Sequence, residues 1–269
     1  MPVRSPLAVV RVGVASLLVV VAGVSLTAPA AALASALPIG SDDPVTEVEI
    51  TRAFTDLDGK LATEKDAGKW AAAARLPLWD FARQWQTRRL TPAQETRILT
   101  RLAAIGRAHA GGPEAVRGAQ FMIKSLSVGR VAPDIAGEDL DGQPFRLSDY
   151  RGRVVTVIFS GNWCGICRSD YPFTRQLLEK FGAAPVVVLG VDSSTSLDAA
   201  KRAKHDNGLA YRSWWDGDSA RYNQGPIATT WNVVGWPTVY VIDAKGVIRF
   251  VDVRRDLLIG AVGQLVTPE

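Results

Sequence analysis

Cys164 and Cys167 are the only cysteines in the chain, and their placement restricts the fold more than any other feature. They stand in Trp163-Cys164-Gly165-Ile166-Cys167, directly after the run Val154-Val155-Thr156-Val157-Ile158-Phe159 and at the start of a helical stretch from about Ile166 to Phe181. A run this continuously apolar reads as a strand buried on both faces. A second such run, Val186-Val187-Val188-Leu189-Gly190-Val191, follows the helix. Strand, helix and strand predict a parallel pair joined by a right-handed crossover, with the cysteines at the strand-to-helix turn. A disulfide that closes so short a loop constrains almost nothing in the unfolded chain, so the pair calls for a chemical reason.

Position supplies that reason. A cysteine at a helix start faces unpaired backbone N–H groups and the positive end of the helix dipole, which favour thiolate over thiol. Arg168 adds positive charge nearby. A second cysteine one turn along is placed to attack a mixed disulfide and release the product. Cys164 is therefore expected to be the exposed nucleophile and Cys167 the sheltered resolving thiol. Half of a zinc site is the competing reading of a C-x-x-C pair. His109 and His205 are the only histidines, however, and neither has ligand spacing to the pair. No metal and no cofactor are expected. His109 reads as a cation in the last turn of its helix, and His205 as a surface residue.

Before the cysteine region the texture is helical. Asp43 and Pro44 suit a cap and a first helical position, and Ile50, Phe54, Leu57 and Leu61 recur at helical spacing, with Gly59 a candidate break. Leu78, Ala82 and Trp85 repeat the pattern. Thr91-Pro92-Ala93-Gln94 is a capping box opening a helix with Ile98, Leu102 and Ile105 on its apolar face, ended by Gly111-Gly112-Pro113. Val116, Ala119, Ile123 and Leu126 mark one more. From Val128 the chain turns to short β-branched runs: a hairpin over Ile135 to Leu147 about Asp141-Gly142, and another formed by Val239–Ile242 and Val247–Val251. A last helix is expected over Leu257 to Leu265. Three regions follow: 1–36, a helical region 37–127, and 128–269. The last is long enough to bury its own core and is expected to fold alone from near Ser127 with its dithiol chemistry; the competing idea is that Trp70, Trp79 and Trp85 pack on it and complete that core.

Residues 1–36 read as an export signal. Arg4 and Arg11 flank an uncharged apolar core from Val12 to Leu26, and Ala28 to Ala36 offers several A-x-A cleavage sites. The rival reading is an uncleaved membrane anchor, against which Pro29 and the small alanines argue. No cysteine follows the apolar core, so a lipid anchor there is not expected. The formal charge of +4 includes Arg4 and Arg11; without them 29 basic residues face 27 acidic ones, or +2. That balance predicts no nucleic-acid partner. Trp214 and Trp215, like Trp70, Trp79 and Trp85, read as core or interface residues.

From about Gly129 onward, roughly half the chain resembles the TlpA/ResA-like branch of the thioredoxin superfamily, related to the AhpC/TSA redoxins. The resemblance rests on Gly129-Arg130-Val131-Ala132-Pro133-Asp134-Ile135, Leu147-Ser148-Asp149-Tyr150-Arg151-Gly152-Arg153, the Trp163-Cys164-x-x-Cys167 motif, and Gly235-Trp236-Pro237-Thr238 with Ile242-Asp243 behind it. It implies an α/β thioredoxin-like fold, a central mixed sheet flanked by helices, preceded here by a small all-helical region. It also implies a protein-disulfide oxidoreductase of the periplasm or another extracytoplasmic space, in the sphere of cell redox homeostasis, antioxidant activity and cytochrome c maturation. Its partners would be disulfide-containing exported proteins, such as apocytochrome c, and a membrane-embedded thiol donor. Pro237 matches the cis-proline that relatives hold opposite the disulfide, leaving the backbone of the preceding residue, here Trp236, free to pair with a substrate strand. Trp163 would contribute to substrate binding. Asp170 takes the place of a glutamate that exchanges protons near the buried thiol in relatives; the alternative is a first-turn aspartate complementing the helix dipole. Ile158 occupies the place of the buried aspartate of thioredoxins, so no proton relay is expected there.

Two departures leave the direction of electron flow open. Gly165-Ile166 lacks the common proline between the cysteines, and Ser160-Gly161-Asn162 replaces the more usual Trp-Ala-Thr/Ser. Two other functions compete. A thiol peroxidase of the redoxin class needs P-x-x-x-T-x-x-C, but those places hold Val157 and Gly161 before Cys164, and Ser160 and Cys164 before Cys167. A redox-inert binding platform has no need of two intact thiols. The role of the helical region and the oligomeric state are not set by the sequence.

Overall fold

A computed structural model describes residues 44–182, 184–217 and 225–266. The expected signal segment 1–36 and the capping role of Asp43 fall outside these residues. Four helices come first: α1 (Glu47–Leu61), α2 (Trp70–Gln86), α3 (Pro92–Arg107) and α4 (Gly112–Ser125). The first starts later than Asp43-Pro44 suggests. Thr46 caps it, its hydroxyl accepting the Glu49 N–H while the Glu49 carboxylate accepts from the Thr46 N–H. This reciprocal pair satisfies two end donors at once and holds the Glu49 carboxyl below its usual pKa, chiefly through the Thr46 backbone N–H. Gly59 does not interrupt α1. The Thr91–Gln94 capping box opens α3 as expected. His109 lies beyond the last turn of α3, not within it, and its ring stacks on Trp70 at 3.9 Å between centroids.

The second half is built on a five-stranded sheet ordered β5-β4-β3-β6-β7, comprising β3 (Val154–Ser160), β4 (Val186–Asp192), β5 (Arg212–Trp215), β6 (Thr238–Ile242) and β7 (Ile248–Val251). Strands β3, β4 and β5 run parallel, while β6 and β7 are antiparallel additions, so the sheet is mixed. A small hairpin of β1 (Ala136–Glu138) and β2 (Pro144–Arg146) precedes it. The crossover from β3 to β4 is not one helix. It divides at Asp170 into α5 (Gly165–Ser169) and α6 (Tyr171–Phe181). Pro172 explains the break, because its ring has no N–H to donate and crowds the carbonyl four residues back. Further on come α7 (Leu197–Asp206), α8 (Pro226–Thr230) and α9 (Asp256–Val266).

Every residue of β3 is buried, so the sheet requires cover on both faces. Side chains alternate between them with period two. Val154 and Ile158, with Val239 and Val241 of β6, face Leu177 of α6 and Leu258, Ala261 and Val262 of α9. Val155, Val157 and Phe159, with Tyr240 and Ile242, join a second cluster that runs without interruption into Leu78, Trp79, Trp85, Met122 and Ile123 of the preceding helices. Polar links fasten the same junction. The Gln86 side-chain amide donates to the Leu126 carbonyl (2.9 Å) and the Tyr240 hydroxyl (3.3 Å), the Gln86 carbonyl accepts from Val128 N–H (2.8 Å), and Arg83 pairs with Asp252 at 2.6 Å. The helical region is a layer over the sheet. The border at 127/128 marks a change of chain texture, not a gap in the core.

A fragment beginning at Ser127 would bare the sheet face around Tyr240 and strand Gln86's partners. We expect it to lose cooperative denaturant unfolding and to bind a hydrophobic dye, as a state without fixed packing does. A fragment with a sharp two-state transition would show that the sheet closes its own core.

Candidate active site

The buried strand β3 ends at Ser160, and Gly161-Asn162-Trp163 carries the chain to Cys164, the N-cap of α5. This turn is tied down at each residue. Asn162 N–H donates to Ser194 Oγ (3.0 Å), its side-chain oxygen accepts from Thr195 N–H (3.2 Å), and its carbonyl accepts from Arg168 Nη1 (2.6 Å). The Trp163 indole N–H donates to the Ser193 carbonyl at 2.8 Å. Gly161 fits because a Cβ there would stand 2.6 Å from that indole nitrogen and 3.0 Å from the Ser193 carbonyl oxygen. Gly161 and Asn162 of the unusual Ser160-Gly161-Asn162 sequence are thus accounted for by a brace from the loop after β4.

Cys164 and Cys167 are joined as a disulfide with Cα atoms 5.2 Å apart. The Cys164 Sγ accepts the backbone N–H of Cys167 at 3.1 Å. Because α5 has only five residues, this local N–H is the group that favours negative charge on Cys164, more than any long macrodipole. The expected exposure is reduced: in the disulfide state both cysteines are buried, Cys164 at 6% and Cys167 at 2%.

The Trp236–Pro237 peptide bond is cis. Pro237 and Cys167 line one narrow pocket together with Ile158, Ser160, Asp170 and Tyr211. The Trp236 ring meets Trp163 edge-on at 5.6 Å between centroids. The fold therefore gathers Cys164, Cys167, Trp163, Trp236, Pro237 and Asp170 around one centre. Asp170 is held there by two cations, its Oδ2 by Arg254 Nε at 2.6 Å and its Oδ1 by Arg255 Nε at 3.0 Å. This grip fastens the α5–α6 break to the start of α9.

Several groups near this centre were not singled out in the sequence. Asp192 ends β4 in register with Ser160 at the end of β3, and Lys204 from α7 donates to Ser213 Oγ (2.8 Å) with its ammonium over the Tyr211 ring. Burial raises the Asp192 carboxyl and lowers Lys204 to about 8, each against the attraction of the other. Burial likewise pushes the Tyr171 and Tyr211 phenols up, so both remain neutral. Asp216 accepts the N–H of Ile227 (2.7 Å) at the start of α8 and the Ser193 hydroxyl (3.2 Å), and burial pushes its pKa to about 6. Among the described residues no group of three His, Cys, Asp or Glu side chains is placed to hold a metal ion.

Residues 128–251 match the AhpC/TSA family. Over 125 residues the chain is 30% identical to the thiol-disulfide oxidoreductase ResA of Geobacillus kaustophilus, covering 46% of this chain and 68% of that protein. It is 28% identical over 129 residues to the thioredoxin-like protein YneN of Bacillus subtilis, covering 48% and 72% of the two chains. Among solved structures, the thioredoxin domain of a thiol-disulfide oxidoreductase from Bacteroides vulgatus is 26% identical, with a TM-score of 0.49 over 53% of this chain and all of that one.

Two outcomes follow from these contacts. Asp170→Ala leaves two guanidiniums without their shared carboxylate, and denaturant titration should show a loss of about 1–3 kcal/mol; no loss would mean the pairs are solvated. For the oxidised protein, Lys204 binds its proton less tightly folded than unfolded. Stability should therefore rise with pH between about 8 and the ordinary lysine value of 10.5. Lys204→Met should flatten that rise in thermal melts, and an unchanged slope would assign it elsewhere.

Proposed function

We propose that this chain, which belongs to the AhpC/TSA family and is related to its ResA-like thiol–disulfide oxidoreductases, reduces disulfides in exported proteins through a Cys164–Cys167 dithiol/disulfide cycle. The observation that carries the reading is the placement of Cys164. It caps a helix, its sulfur accepts a backbone N–H, and it lies within disulfide reach of a more deeply buried partner.

In the reduced protein the Cys164 thiolate attacks one sulfur of a substrate disulfide. An S–S bond forms between Cys164 and the substrate, and the departing substrate sulfur leaves as a thiolate that takes a proton from solvent. Cys167, losing its proton, then attacks the Cys164 sulfur. This forms the intramolecular disulfide and releases the second substrate sulfur as a thiol. Two electrons and two protons have passed to the substrate, and a dithiol donor at the membrane returns them. The Trp236 backbone beside Pro237 receives the substrate strand, while Trp163 packs along it. Asp170, in the Cys167 pocket, is the carboxylate available to handle the buried thiol's proton, with Arg254 and Arg255 holding it in place. Residues 1–36 direct export, which places the reaction outside the cytoplasm, where apocytochrome c and other cysteine-bearing exported proteins are substrates.

Cys164 should alkylate as a thiolate below the ordinary cysteine pKa of about 8.5. Cys167→Ser should accumulate mixed disulfides with substrate, and Cys164→Ser should accumulate few. Faster alkylation of Cys167 would reverse the roles. The direction is tested by equilibrating the pair against a glutathione or thioredoxin couple. A reductant should sit near the thioredoxin value of about −270 mV, whereas a value near about −120 mV would make it an oxidant.

A further inference from the structure

Trp79 of α2 lies over the loop that carries Trp236 and Pro237. A Cβ on Gly235 would stand 2.9 Å from Trp79 Cη2 and 3.5 Å from Cζ2 and Cζ3, so the edge of the indole rests on the Gly235 backbone. The indole is itself fixed. It is buried within α2, and the Arg83 guanidinium lies 4.8 Å from its ring centroid. Arg83 pairs with Asp252, which grips the strand leaving the loop: its Oδ1 accepts from Val239 N–H (3.2 Å), and its own N–H donates to the Val239 carbonyl (2.7 Å). Within the loop, Thr238 Oγ1 closes a turn onto the Gly235 carbonyl at 2.8 Å. One turn of α2, from Trp79 to Arg83, thus touches the loop before its proline and the strand after it.

We propose that Trp79 is a positioning residue: by bracing Gly235 it holds the Trp236 backbone where a substrate polypeptide pairs with it, so the helical region sets affinity for protein substrates. This rests on the reading of the Cys164–Cys167 pair given above. A backbone that receives a strand must keep its N–H and carbonyl in a fixed direction, since hydrogen bonds weaken steeply with misalignment. Free movement of Gly235 would cost binding, while the distance between the two cysteines would stay the same. The helical region then contributes to recognition without placing a side chain on the substrate.

The experiment measures turnover of a small aromatic disulfide and of a peptide disulfide, with a dithiol as the electron source, in the full chain. Trp79→Ala should raise KM for the peptide about tenfold with kcat changed less than about twofold, and should leave the reduction potential of the cysteine pair in place. Trp79→Phe, whose ring stops short of the Cη2 edge that meets Gly235, should raise the same KM by a smaller factor. Gly235→Ala should raise the same KM, and the double variant Gly235→Ala/Trp79→Ala should be less than additive, because the added methyl then meets no ring. Leu102→Ala, at a buried position of α3 outside this contact, controls for general destabilisation. Equal KM values for Trp79→Ala and the parent chain, additivity in the double variant, or an equal rise with Leu102→Ala would each overturn the proposal. If Trp79→Ala does not fold, Trp79→Phe and Gly235→Ala still decide it. Failure of the parent chain to turn over either disulfide would instead overturn the reading on which the proposal rests.

Discussion

The structure is organised around a strand that has no face left for solvent. All seven residues of β3 are buried, with hydrogen-bonded neighbours β4 and β6 on its two sides. Such a strand is stable only between two apolar layers. Helices α6 and α9 form one of them. The other is completed from outside the region matched to the redoxin family, by helices that end before Val128. Trp79, Trp85 and Met122 are therefore part of the support of the cysteine turn, although they lie far from it in sequence.

Burial of β3 also gives the cysteine turn its rigidity. A strand held on every side delivers Ser160 to a fixed point, and the turn beyond it is anchored by Ser193, Ser194 and Thr195 from the loop after β4. The Cys164–Cys167 disulfide is thus referenced to two parallel strands at their carboxyl ends, where open α/β sheets commonly place their chemistry. Burial has a second effect there. Asp192, Lys204, Tyr171 and Tyr211 are all shifted toward their neutral forms, each chiefly by desolvation.

Much of this was legible in the chain itself, and the rest was not for definite reasons. Local signals served well: the Thr91–Gln94 capping box, the Asp141-Gly142 hairpin and the two buried strands are each decided by neighbouring residues. The division at Asp170 is also local, but the apolar period continues across Pro172 while the backbone hydrogen bond does not, so the stretch reads as one helix. Strand β5, four residues long, carries too short a pattern to be recognised. The Asp192–Lys204 neighbourhood and the Arg254–Asp170–Arg255 grip are assembled by tertiary packing from separate elements, and nothing in their spacing announces them. Trp79 reads as packing material, but its target, Gly235, is a backbone position with no side chain to signal the contact.

The Gln86–Tyr240 and Arg83–Asp252 links bear on how such a chain can evolve. A domain joined to its neighbour by a plain linker can be lost, duplicated or exchanged by recombination without damage. Here a crossover near residue 127 would separate Gln86 from Tyr240, Arg83 from Asp252 and the Trp79 ring from the glycine beneath it. The two halves are consequently expected to be inherited as one unit. Substitutions at these positions should co-vary across a lineage, and a redoxin domain that acquired such helices late would have had to remodel its own sheet face to receive them.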